Sequence, residues 1–142
     1  MFYKNKKIAF VLDHSLQTYR VPFFQQLEKH GIDITVFHGG SIVDSDGAFE
    51  QKIVKVISLG PFEYRQLPSL SKFDIVVHMQ NIRIVNLWLL TFNPFRRFKL
   101  IQWGIGVSSQ KGLTNQSNTI VFLRNVLALF STCQVLYSDY PL

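Results

Sequence analysis

The sequence predicts an α/β protein, with a Rossmann-like, mostly parallel sheet of five to six or more strands and helices on both faces. Two observations carry that expectation. Short, mostly apolar runs recur at 7–12, 33–38, 52–57, 74–79, 99–103 and 134–138, the first of them continuous, as in strands covered on both faces. Most of these runs are separated by segments of helical character, the pattern of βαβ units. One sheet is expected, with 8–11 and 75–78 near its centre. The length of 142 residues suits a single Rossmann-like domain, large enough to bury roughly two-thirds of its unfolded surface without a disulfide or metal staple.

The first strand, Lys7 to Asp13 (KIAFVLD), ends in a polar residue. Pro22 suits the first turn of a helix whose apolar stripe is Phe23, Phe24 and Leu27, and Gly31 suits its C-terminal cap. A second strand over 33–38 ends at Gly39-Gly40. Residues 41–51 are polar, carry the turn-forming pair Asp46-Gly47 and read as a surface loop. Lys52 to Ile57 reads as a third strand closed by Gly60-Pro61, followed by a less regular stretch through Lys72. After the strand at 74–79, the apolar segment Ile82 to Phe92 reads as a helix that Pro94 ends. The strand at 99–103 runs into Gly104-Ile105-Gly106. Residues 107–118 form a Ser/Gln/Asn/Gly loop, Asn118 suits the cap of an apolar helix over 119–130, and a last strand covers 133–138.

Composition narrows the function classes. With 47% hydrophobic, 17% charged and 14% aromatic residues, the chain is globular and neither disordered nor of low complexity. The single cysteine, Cys133, excludes a disulfide framework and a multi-cysteine zinc site, and it suits a reducing compartment. The opening residues do not read as a secretory signal, and no run approaches the roughly 18 to 20 apolar residues that span a bilayer. A cytoplasmic protein is expected, soluble or peripheral on the inner face of the membrane. The net charge of +6 sits mostly in one half: residues 81–142 carry six Lys/Arg and only Asp139. Such a half suits an anionic partner, although a basic surface also serves solubility alone.

Ligands of open parallel sheets bind beyond the carboxyl ends of the strands. At those predicted ends stand Asp13-His14, His38-Gly39-Gly40, His78-Met79-Gln80-Asn81 and Trp103-Gly104-Ile105-Gly106. Three of the four histidines thus share one predicted edge. They suit a polar crevice with a general base, or are half-exposed side chains with no such role. None has a second ligand at helical or hairpin spacing, so no metal site is expected. Gly104-x-Gly106 resembles the start of a dinucleotide fingerprint, but the next required glycine is Ser109 and a long polar loop precedes the helix. NAD, FAD and the Walker P-loop are therefore excluded. These glycines are expected to allow close backbone approach or positive φ. Arg20, ahead of the Pro22 helix, could hold a phosphate or carboxylate with that helix's N–H groups, or simply lie over the sheet edge. No catalytic triad and no carboxylate pair for glycoside hydrolysis is visible.

Phe95, Arg96, Arg97, Phe98 and Lys99 interleave rings and cations, as an interfacial membrane patch on anionic lipid does. The alternative is a core helix followed by a basic turn. No nucleic-acid-binding module is visible, and nucleic acid is not an expected partner.

Tyr19-Arg20-x-Pro22-x-Phe24-x-x-Leu27 followed by Gly31-Ile32-Asp33-Ile34-Thr35-Val36 resembles the opening of family 4 glycosyltransferases of the GT-B fold. Asn81-x-Arg83 before an apolar helix, and Leu100-Ile101-Gln102-Trp103-Gly104-Ile105-Gly106, are similar to that family's later motifs. The closing Val135 to Tyr140 resembles the strand preceding its crossover to a second domain. The resemblance covers nearly the whole chain, and Trp103-Gly104-x-Gly106 is its most specific piece. It implies the N-terminal, acceptor-side half of a two-domain enzyme in surface polysaccharide synthesis. Such an enzyme moves a sugar from a nucleotide-sugar donor to a saccharide or polyprenyl-phosphate-linked acceptor. No tightly bound cofactor is implied, since the donor would bind a C-terminal donor domain that these residues do not include. The family often has His between the two glycines, where Ile105 stands here, so the base role passes to Asp13 or His14. Tyr19, Arg20, Gln80, Asn81, Arg83, Trp103, Gly104 and Gly106 are the implied acceptor contacts. The rival reading is a non-catalytic subunit that docks a catalytic partner on the membrane.

Overall fold

The structure, a computed structural model, describes residues 5–104 and 117–136. Six strands form one sheet: β1 (Lys7–Ser15), β2 (Asp33–Gly39), β3 (Glu50–Ile53), β6 (Ile75–Met79), β7 (Lys99–Gly104) and β8 (Cys133–Leu136). Their spatial order is β3-β2-β1-β6-β7-β8, and every neighbouring pair is parallel. Counting only these six strands, this is the doubly wound order 3-2-1-4-5-6 of Rossmann-like folds. Strands β1 and β6 lie at the centre, where the two halves of the sheet diverge.

The mostly apolar runs are explained by the two layers that cover the sheet. On one side, Phe10 and Leu12 of β1, Val36 of β2 and Val77 and Met79 of β6 pack with Phe24. Phe24 belongs to the helix α1 (Val21–Lys29). On the other side, Ala9, Val11, Phe37, Val76 and Leu100 pack with Phe73, Phe98 and Leu90. Leu90 belongs to α2 (Val85–Phe92). The helix α3 (Asn118–Phe130) joins this second side, where the carbonyl of Leu127 accepts a hydrogen bond from buried Gln102 at 2.9 Å. Rings dominate the first layer: Phe10 and Phe24 meet edge to face at 4.8 Å between centroids, and Phe24 meets Phe49 at 5.3 Å. Gly31 follows α1 with φ 80, the left-handed residue with which helices commonly end.

Three expectations need correction. The segment 52–57 is not one strand: β3 ends at Ile53, and Val56–Leu59 forms β4, antiparallel to β5 (Phe62–Arg65) in a separate two-stranded sheet. Between them lies Val54, buried, whose N–H donates to the carbonyl of His38 at 2.9 Å. That bond closes the ladder with β2, and the chain then leaves the sheet. Gly60-Pro61 is accordingly a two-residue hairpin loop. Gly60 has φ 62, suited to the first central position of a II′ turn. Secondly, the apolar segment from Ile82 becomes helical only at Val85. The Asn81 side chain accepts the N–H of Arg83, and its carbonyl accepts that of Ile84, both at 3.1 Å. This turn holds 81–84 outside the helix. Thirdly, α3 starts at Asn118 with Ser117 as its cap residue.

The loop between β2 and β3 carries no helix. It turns at Asp46 and Gly47, both at positive φ, as the Asp-Gly pair suggests, and it buries Ser45 and Phe49 against α1. Residues 105–116, with the second glycine of the Gly-x-Gly pair, and 137–138 of the last predicted strand lie outside the described residues.

Phe24 is fully buried and Phe95 is 88% exposed. Replacing Phe24 with Ala is therefore expected to cost about 3 to 5 kcal/mol, and replacing Phe95 with Ala less than about 0.5 kcal/mol. Urea unfolding followed by tryptophan fluorescence measures both; similar losses would contradict the assigned layers.

Candidate functional site

The crossover through α1 carries the chain from β1 to β2, whereas α2 carries it from β6 to β7, in the opposite direction across the sheet. In a doubly wound sheet the ligand crevice opens where the connections diverge, at the carboxyl ends of the two central strands. Here those ends present Asp13-His14-Ser15 from β1 and Met79-Gln80-Asn81 from β6. Trp103-Gly104 ends β7 beside them.

The sheet divides the crevice into two walls. On the α1 side, Arg20 closes the 3-10 turn Thr18–Arg20. Its guanidinium is 5.6 Å from the centroid of the Tyr19 ring and 5.3 Å from that of Trp103. Its Nε donates to the Tyr19 hydroxyl at 3.3 Å, and Nη1 approaches the Met79 sulfur at 3.8 Å. Trp103 also meets Phe10 edge to face at 6.0 Å and Phe23 at 5.5 Å. Tyr19 is 71% exposed. The sequence motif Tyr19-Arg20 thus forms a ring–cation–ring platform with Trp103.

On the α2 side stand Asp13, His14, His78, Asn81 and a residue that sequence reasoning missed, Arg65. The Asn81 amide donates to Asp13 Oδ2 at 3.5 Å, and Nδ1 of exposed His14 makes an ion-pair contact with Asp13 Oδ1. Arg65, only 2% exposed, donates through Nη2 to the Asp13 carbonyl oxygen, and the same nitrogen lies 3.4 Å from the Glu63 carboxylate. The Asn86 side chain holds the backbone of Arg65 at both its N–H (2.7 Å) and its carbonyl (2.9 Å). The hairpin β4–β5 therefore delivers a buried cation to the end of β1, clamped there by the first turn of α2. The only sequence signal for it was Gly60-Pro61 between two short strand-like segments.

His78 is fully buried, and its Nδ1 lies 2.7 Å from the Met79 carbonyl, so Nδ1 carries the proton of the neutral ring. Burial pushes its imidazole down to about 4. The Met79 hydrogen bond opposes that shift, the nearby Arg65 charge reinforces it and the Asp13 charge opposes it. A ring kept neutral and sealed from solvent suits packing, not proton exchange with a substrate. His38 is also fully buried; its ring accepts or donates within a network of Leu16 N–H, the Gly39 carbonyl and Gln51. The three-histidine crevice is thus reduced to His14.

The remaining expected residues separate in role. Gln80 receives a backbone partner in Trp103, its N–H donating to that carbonyl at 2.8 Å. A Cβ on Gly104 would lie 2.8 Å from the Gln80 Cβ, so this glycine serves close approach of neighbouring strand ends. Arg83 is exposed, and its backbone carbonyl ties the hairpin by accepting the Glu63 N–H at 2.9 Å. Gly106 lies outside the described residues. Among the described residues no three His, Cys, Asp or Glu side chains gather as metal ligands.

The aromatic and basic patch is corrected in part. Arg96 Nη1 donates to the Leu90 and Thr91 carbonyls at 3.1 and 2.8 Å, and Nη2 donates to the Phe130 carbonyl at 2.7 Å. It therefore satisfies the last carbonyls of α2 and α3, groups that helices leave without partners. Phe98 is a core ring, 8% exposed. Phe95, Arg97 and Lys99 remain on the surface. They precede or open β7, so they lie at the amino edge of the sheet, with the length of a strand, roughly 17 Å, between them and the crevice. No helix among the described residues is long and apolar enough to cross a membrane.

The His78 ring has a testable consequence. A base whose folded pKa lies below its unfolded value of 6.5 stabilises the fold least at low pH, because only the unfolded state takes up the proton. Stability should fall as pH drops from about 6.5 towards 4, by roughly 2 to 3 kcal/mol over that window. The Thr35 hydroxyl holds the Glu50 carboxyl below 4.5, and the Lys7 backbone N–H holds that of Asp74 below 3.8. Their own losses therefore begin at lower pH. Thermal melts from pH 7 to 4.5 should show the decline in the native protein and a much flatter profile in His78→Leu. Equal slopes would assign it elsewhere.

Comparison with family models, with curated proteins and with solved structures gives no match, so the fold and the crevice at the ends of β1 and β6 carry the functional reading.

Proposed function

We propose that the chain is the acceptor-binding half of a glycosyltransferase that moves a sugar from a nucleotide-sugar donor to a saccharide or lipid-linked acceptor in surface polysaccharide synthesis. What supports it most is the position of the Tyr19–Arg20–Trp103 platform and of the Asp13 carboxylate at the same carboxyl edge of the sheet. A ring edge beside a guanidinium suits the apolar face and hydroxyls of a sugar, and the cation suits a phosphate or carboxylate on it. The Asp13 carboxylate, oriented by Asn81 and contacted by His14, is the group available to accept a proton from an attacking hydroxyl. Arg65 would keep the Asp13 backbone in place through its carbonyl. The donor's diphosphate would bind a C-terminal donor domain beyond these residues, and the protein would work in the cytoplasm, peripheral on the inner membrane face.

The second reading, a non-catalytic subunit docking a catalytic partner on an anionic membrane, draws on the surface position of Phe95, Arg97 and Lys99. Both readings accommodate membrane contact; only the first requires acceptor binding in the crevice.

Saturation-transfer NMR on the purified chain with a panel of neutral and acidic saccharides separates them. Weak saccharide binding is expected, reduced about fivefold to tenfold by Trp103→Ala or by Arg20→Ala, with no turnover of nucleotide sugars by the chain alone. No saccharide binding would favour the docking subunit, and nucleotide-sugar turnover by the isolated chain would overturn the half-enzyme reading. When the chain acts together with a donor domain, Asp13→Asn or His14→Ala should lower kcat by roughly 100-fold or more with little change in KM. Normal turnover in both would clear them of the base role.

A further inference from the structure

At the amino edge of the sheet, opposite the crevice, cations from four separate places converge. Lys6 precedes β1, Lys72 precedes β6, Lys99 opens β7, and Arg97 comes from the turn after α2. Together with Asp74 they line a cavity of about 490 Å³. Asp74 is its one carboxylate, and it already binds Lys6 Nζ at 3.1 Å and the Lys7 N–H at 2.9 Å. Lys72 lies 5.2 Å from the centre of the Phe73 ring. Among the described residues, Lys72, Arg97 and Lys99 have no carboxylate within ion-pair distance. Three such charges held around one concavity repel each other, and the field they set up concentrates anions there.

The neighbouring cavity is richer in apolar side chains and holds no carboxylate. About 300 Å³ in volume, it shares Ser71 and Arg97 with the basic one and is walled by Leu67, Leu70, Leu89, Leu90, Phe95 and Phe98, with Ser69, Asn86, Asn93 and Arg96 as its polar part. Phe95 stands at its rim, almost wholly in solvent. A ligand complementary to the pair carries a compact negative charge joined directly to hydrocarbon. Neither a free phosphate nor a neutral lipid meets both halves.

We infer that the amino edge of the sheet is a docking site for an anionic phospholipid, its phosphate among Lys6, Lys72, Arg97 and Lys99 and the start of its acyl chains against the apolar cavity beside Phe95. This names the ligand of the membrane contact proposed above and rests on that contact, not on sugar transfer. Phe95 would enter the headgroup boundary as an interfacial ring does, while the cations supply the selectivity for negative charge. Arg97, common to both cavities, would sit at the junction of head and tail.

Flotation with vesicles of phosphatidylcholine alone, or with phosphatidylglycerol added, tests this on the whole chain. Binding is expected to be at least about tenfold stronger to the anionic vesicles and to weaken as salt rises. Lys72→Glu with Lys99→Glu should reduce it about tenfold or more, and Phe95→Asp should reduce it independently. All three positions are exposed, and thermal melts of the variants should match the native protein. A variant with a lowered melting temperature is replaced by the milder Lys72→Gln with Lys99→Gln, for which a smaller loss of the same sign is expected. Strong anionic binding that survives these substitutions would overturn the pocket while leaving a general membrane contact standing. Absence of vesicle binding would overturn the inference together with that contact, and equal binding to both vesicles would overturn the inference while leaving a membrane contact without charge selectivity. Calorimetric titration with inorganic phosphate supplies the last arm: tight binding that Phe95→Asp leaves unchanged would mean a soluble anion site and would overturn the assignment to lipid.

Discussion

Hydrogen bonding between β1 and β6 is the constraint on which the remaining structure depends. It joins residues some seventy apart in sequence, Ile8 to Ile75 through Val11 to His78 in register, and it alone unites the half of the sheet built by β2 and β3 with the half built by β7 and β8. Parallel pairing requires that both strands be covered on both faces, which is why Ala9 and Val11 are as fully buried as Phe10 and Leu12. Pairing in this register also aligns the strand ends. Asp13 and Gln80 emerge together at one edge, and Lys6 and Asp74 at the other.

Burial at the first of those edges is polar. Arg65 is a cation removed from water, which is costly unless partners are supplied. The Asp13 carbonyl and the Glu63 carboxylate both partner its Nη2, while Asn86 holds only its backbone. The adjacent His78 ring stays neutral chiefly because it is fully buried, and the Arg65 charge beside it acts in the same direction. The edge thus carries two carboxylates, Asp13 and Glu63, beside one buried positive group.

Most of the strands were legible in the sequence because a short, mostly apolar run between helical segments needs only a doubly covered sheet to explain it, and the central pair stood out by hydrophobicity. The hairpin was not legible. Lys52 to Ile57 has the composition of a single strand, and what divides it is the buried Val54 bond to His38, a contact between distant segments. Arg65 was hidden for the same reason: its burial arises from α2 and from the end of β1, 21 and 52 residues away. Arg96 and Phe98 mislead in the opposite sense. They alternate with exposed Phe95 and Arg97 in sequence, yet one caps two helices and the other fills the core, which composition cannot distinguish. Tyr19, Arg20 and Trp103, by contrast, were found as motif residues and do meet in space.

The two edges constrain each other. Both the crevice and the basic cavity lie along the same central strands but at opposite ends, with about 17 Å of strand between them. A protein resting on lipid through Lys72, Arg97 and Lys99 would therefore point its crevice away from the bilayer. An acceptor sugar attached directly to a membrane-embedded phosphate could not reach Asp13 in that pose, because its head would remain at the headgroup level. A saccharide already extended by several residues could, since each sugar adds length that an attached lipid phosphate lacks. The geometry thus links two otherwise separate proposals: phospholipid docking at the amino edge favours a soluble or elongated acceptor in the crevice, and a short lipid-linked acceptor requires that the amino edge face away from the membrane.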